Sequence, residues 1–74
     1  MSTLPQISGR EVARALQKIG YENDRQKGSH MVLRQTAYPY RRLTIPDHKV
    51  IAKGTLRAII GQAGLTIDGF LKLL

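Results

Sequence analysis

No cysteine occurs among the 74 residues, which excludes disulfides and thiolate metal sites. Tryptophan is absent, phenylalanine occurs once, and five Asp and Glu stand against twelve Lys and Arg. So few acids exclude an acidic scaffold. No apolar run approaches the ~20 residues that a membrane helix needs, and the N-terminus lacks the apolar core of a secretory signal. These absences lead us to expect a soluble, cytoplasmic chain. A chain this short has a compact radius of gyration of about 11 Å and buries roughly 60% of its unfolded surface. That leaves no room for a deep substrate cavity. We expect one domain over residues 1–74, with residues 1–7 as a flexible tail.

What is present is positive charge. The net charge of +7 calls for a polyanionic partner, which a nucleic acid or an acidic protein would satisfy equally. Ser8-Gly9-Arg10-Glu11 reads as a capping box, with Ile7 and Val12 as its hydrophobic staple. Val12, Leu16 and Ile19 follow at helical spacing, so a helix is expected from Ser8 to Ile19, ended by Gly20. Lys27-Gly28-Ser29 marks a turn between two extended runs, Tyr21–Gln26 and His30–Gln35. In the second run Met31 and Leu33 share one face, His30, Val32 and Arg34 the other. A third run, Arg42–Ile45, puts Leu43 and Ile45 inward and ends at Pro46. Asp47 to Ala52 reads as a polar connection. A second helix starts around Lys53-Gly54-Thr55 with Leu56, Ile59, Ile60 and Ala63 as its stripe, and stops at Gly64. Thr66 caps a last short helix. The order α-β-β-β-α-α gives an α+β layer, a three-stranded antiparallel sheet with helices on one face.

Only His30 and His48 carry side chains of the type that titrates near neutrality. His30 follows Lys27-Gly28-Ser29 and lies close to Arg25 and Lys27. An imidazole among cations suits RNA cleavage without metal: it takes the 2′-hydroxyl proton while the cations stabilise the phosphorane. Composition alone favours the plainer reading, a solvent-facing strand histidine. His48 reads as a turn residue partnered by Asp47. Two histidines and few carboxylates, without ligand spacing, do not assemble a zinc site. Ser29 and His30, as neighbours on a strand, point to opposite faces and make a poor nucleophile–base pair. Arg10, Arg14 and Lys18 form one stripe on the first helix and are expected to track phosphates, given the total charge. The helix start at Lys53-Gly54-Thr55 offers free amides to a phosphate. Tyr38 and Tyr40, flanking Pro39, either stack on unpaired bases or pack on their own loop.

Three blocks in this order and spacing, Gln26-Lys27-Gly28-Ser29-His30, Ile45-Pro46-Asp47-His48, and Gly54-Thr55-Leu56-Arg57 through Gln62-Ala63-Gly64-Leu65, resemble the HicA-type toxins of toxin–antitoxin pairs. The resemblance runs from about Ser8 to Leu74. It implies a fold like the double-stranded-RNA-binding domain, and an mRNA interferase that cleaves mRNA and arrests translation. His30 matches the family's catalytic histidine. Gly28 would then shape the hairpin turn, and Ser29 would orient the imidazole or bind phosphate. His48 matches the Pro-x-His block, with a structural or RNA-contacting role, and no cofactor or metal is expected. The implied partners are RNA and a HicB-type antitoxin that covers His30. Thr36–Arg42 departs from the family by being longer and more aromatic. The alternative reading keeps the fold but makes the chain a noncatalytic RNA-binding module.

Overall fold

The structure is a computed structural model and describes residues 3–74. Helix α1 spans Gly9–Gln17, and its start is the expected capping box. The Ser8 hydroxyl accepts from the Glu11 amide at 3.1 Å, and the Glu11 carboxylate accepts from the Ser8 amide at 3.1 Å. The helix is shorter than its apolar periodicity suggests. Lys18 caps it, and Ile19, assigned to the stripe, is 39% exposed.

Strands β1 (Tyr21–Lys27), β2 (His30–Gln35) and β3 (Arg42–Pro46) form an antiparallel sheet in the order β1-β2-β3. β1 runs one residue beyond the expected end. Its polar sequence has poor strand propensity, so pairing with β2 recruits it. Alternation divides the sheet cleanly. Met31, Leu33, Leu43 and Ile45 are buried beneath the helices, while His30, Arg42 and Thr44 on the alternate positions are exposed.

Helix α2 (Lys53–Gln62) buries Leu56, Ile59 and Ile60. It ends in a Schellman motif: Gly64 sits at φ +77°, its amide donates to Gly61 O at 3.0 Å, and the Leu65 amide to Ile60 O at 3.1 Å. Thr66 caps α3 (Ile67–Leu71) by accepting from the Gly69 amide at 3.0 Å. From α3, Phe70 is fully enclosed in the core.

Two expectations need correction. The tail predicted over residues 1–7 is anchored from Leu4 onward, because Leu4 and Ile7 are buried in the core. The Ile7 carbonyl also accepts from the Ile51 amide at 2.9 Å. Met1 and Ser2 lie outside the described residues. The connection at 47–52 is not wholly polar either, since Ile51 is 2% exposed and joins the same cluster. The radius of gyration is 11.3 Å, close to the value expected from length.

Candidate functional site

The site grows from the register of the β1–β2 hairpin. Counted by strict alternation from Tyr21, residues Asn23, Arg25 and Lys27 would all share the helix-covered face. A β-bulge intervenes: Asn23 pairs with Leu33, but Arg25 pairs with Val32, leaving Asp24 outside the ladder. The bulge resets the alternation, so that Arg25 and Lys27 arrive on the open face with His30. Three cross-strand rows result. Lys27, His30 and Pro46 form the first, Arg25, Val32 and Thr44 the second, and Glu22, Arg34 and Arg42 the third.

Two residues, Gly28 and Ser29, close the hairpin. Gly28 at φ +58° supplies the positive dihedral that a tight hairpin turn requires at its first position, as in type II′. The turn is held by Asp47. The Asp47 amide donates to Ser29 O at 2.7 Å. The Asp47 carboxylate accepts from Arg10 Nε at 3.2 Å, from Arg10 Nη2 at 3.4 Å and from Gln26 Nε2 at 3.0 Å. Gln26 Nε2 also reaches Gly28 O at 3.3 Å. Asp47 thus ties α1, β1 and the turn together directly behind His30. The Arg10 hydrogen bond, then the Gln26 amide, hold the Asp47 carboxyl below the usual carboxylate range. Sequence reasoning paired Asp47 with His48, whereas its hydrogen bonds go to Arg10 and Gln26. No local signal pointed to either residue.

His30 is exposed, and its ring makes no hydrogen bond within the described residues, so both nitrogens are open to a substrate. Arg25 and Lys27 likewise form no ion pair among the described residues. The structure therefore brings Arg25, Lys27, Gly28, Ser29 and His30 together. His48 is exposed at the same end of the molecule, where its carbonyl accepts from the Gly9 amide at 2.9 Å. Lys53, Gly54 and Thr55 open α2 in the helical layer. That helix start has no side-chain cap and no acid in its first turn, so its amides stay free. No hydrogen bond or ion pair among the described residues joins these three to the hairpin.

The first-helix stripe fares differently from expectation. Arg10 is committed to Asp47, and Lys18 Nζ donates to Leu73 O at 2.7 Å, which leaves Arg14. A groove of about 330 Å³ lies on this side, lined by Arg10, Arg14 and Gln17 of α1 with Asn23, Gln26 and Met31 of the sheet. Among the described residues no three His, Asp or Glu side chains gather where they would hold a metal ion. No helix among them is long and apolar enough to cross a membrane.

Comparison with known proteins agrees with the architecture. Residues 9–65, from the first residue of α1 to the residue after Gly64, match the family described as HicA toxin of bacterial toxin-antitoxin. No curated protein matches the chain. The match takes in the hairpin, β3 and α2, and the α-β-β-β-α order is that of the fold resembling the double-stranded-RNA-binding domain. The chain belongs to the HicA toxin family and is the toxin member of a toxin–antitoxin pair, with an antitoxin as its partner.

Proposed function

We propose that the chain acts as an mRNA interferase, an endoribonuclease that needs no metal ion and has His30 at its centre. One observation carries the reading: the bulge at Asp24 aligns Lys27 beside His30 and Arg25 one row away, on a face that no helix covers. The His30 imidazole takes the proton from a 2′-hydroxyl, the freed oxygen bonds to phosphorus, and the P–O5′ bond breaks. A 2′,3′-cyclic phosphate and a 5′-hydroxyl are left, the latter taking its proton from a water that the His30 imidazolium reprotonates. Lys27 and Arg25 stabilise the charge that builds on the phosphorane oxygens. Gly28 and Ser29 hold the imidazole at the rim of the sheet through the Asp47 clasp. His48 and the free amides of Lys53, Gly54 and Thr55 offer further phosphate contacts.

A HicB-type antitoxin neutralises this activity, in our reading, by laying carboxylates over His30. Charge complementarity steers that association, so its rate falls with ionic strength. The working place is the cytoplasm, where mRNA is translated.

The test is a gel assay on a defined single-stranded RNA with EDTA present. Wild-type protein should cleave, His30→Ala should lose activity by roughly 10²-fold or more, and a 2′-deoxy substitution at the scissile nucleotide should block cleavage. If neither protein cleaves while both shift the RNA, the chain is a noncatalytic RNA-binding module.

A further inference from the structure

The open face of the sheet holds more than His30. Its three rows carry Lys27, Arg25, Arg34 and Arg42 against one acid, Glu22, which already pairs with Arg34 at 3.6 Å. Asp24 stands out of the ladder in the bulge. Neighbouring rows lie about 7 Å apart, two residues of extended chain, so the cations step from His30 to the Arg34–Arg42 row over about 13 Å. That interval resembles the phosphate spacing of an extended polynucleotide. Just beyond the last row, the loop between β2 and β3 holds Tyr38 and Tyr40 in solvent, 87% and 55% exposed. Their rings meet edge to face with centroids 6.4 Å apart. The base of the loop is fixed: Gln35 donates to Arg41 O and accepts at its side chain from the Arg41 amide, both at 2.9 Å. Tyr40 is held at φ +59°, a conformation that costs a bulky residue energy and persists only where the surroundings impose it. A loop pinned at its base that leaves so much aromatic surface in water fits unpaired bases, which have π-faces to stack and phosphates to place on the adjoining arginines.

We propose that the open sheet face is a track for single-stranded RNA, from the Tyr38–Tyr40 loop across the Arg34–Arg42 row to the scissile phosphate at His30. The track rests on the ribonuclease reading for its end point, but its binding is separable from cleavage. The outer stripe of α1 is the poorer track, because Arg10 and Lys18 are occupied within the fold. A duplex presents no bases to the tyrosines.

The experiment measures binding of a fluorescein-labelled eight-nucleotide single-stranded RNA to His30→Ala protein over a salt series. Tyr38→Ala should weaken binding about 5- to 150-fold while leaving the salt slope unchanged. Arg42→Gln should weaken it severalfold and reduce the slope of log K against log salt by about 0.7. Glu22→Gln, which frees Arg34, should tighten binding and steepen the slope, a gain that misfolding cannot imitate. Arg14→Gln, on the helical side, should change neither. The proposal is overturned if Arg14→Gln costs as much as Arg42→Gln, if a duplex of the same sequence binds as tightly, or if the RNA does not bind at all. It is equally overturned if these variants spare RNA binding and weaken only the complex with the antitoxin. Should the binding pattern hold while wild-type protein leaves RNA intact, the track stands and the cleavage reading fails.

Discussion

At the scale of single side chains, Asp47 ties the hairpin to the first helix. Among the described residues its carboxylate is the one acid that joins α1 to the hairpin, and hydrogen bonds from Arg10 and Gln26 depress its pKa below the ordinary 3.8. A carboxylate with a depressed folded-state pKa stabilises the fold above its unfolded value and loses that contribution as pH falls through the folded one. Wild-type protein should therefore lose more stability than Asp47→Asn between about pH 4 and pH 2. Urea midpoints measured across that interval decide it, and parallel curves for the two proteins would refute the assignment. The effect is small because Arg10 is largely solvated. Sequence reading found residues whose partners are local, such as Ser8 and Glu11 three positions apart. It missed Asp47, whose partners lie 37 and 21 positions away. Composition showed the acids to be scarce but could not show where this one goes.

Between elements, close contact outweighs local preference. Gly9 begins α1 directly against β3, and a Cβ there would overlap the Pro46 carbonyl oxygen. Helix propensity alone would make alanine at position 9 better than glycine by up to about 1 kcal/mol. The overlap reverses that sign, and Gly9→Ala should destabilise the protein by about 1–3 kcal/mol, read from urea unfolding. An unchanged or raised midpoint would show that the helix can shift away from Pro46. The elements themselves were legible because punctuation was strong: Gly20, Gly28, Pro46 and Gly64 each stand at a boundary. The bulge was not, since nothing in Tyr21-Glu22-Asn23-Asp24-Arg25 distinguishes a paired residue from an extruded one. Alternation alone would have sent Arg25 and Lys27 to the wrong face of the sheet. Proximity in sequence placed them near His30, and the ladder put Lys27 beside it and Arg25 one row away.

For the molecule as a whole, stability rests on a small core that draws on both ends of the described chain. Leu4 precedes α1, and Phe70 lies past residue 65, where the family match stops, yet both are buried. Periodicity revealed the core of α1, β2, β3 and α2, whereas Leu4 and Ile51 are isolated apolar residues in segments without a period. A chain of this length has a stability of roughly 4–11 kcal/mol, and emptying the Phe70 site costs about 3–5 kcal/mol. Phe70→Ala should abolish a cooperative thermal transition or lower its midpoint by tens of degrees, by circular dichroism. A midpoint within a few degrees of wild type would mean that α3 is dispensable to the core.

The extruded Asp24 has a last consequence, for tolerance to length change. β1 uses seven residues where β2 offers six, so the hairpin carries one residue more than its pairing needs. Deleting Asp24 would leave every other cross-strand partner where it is. Deleting a residue from β2 would turn the rest of that strand inside out. An indel can be absorbed at this one slot without rephasing the cations around His30, and the shortened chain would lose one of its five acids.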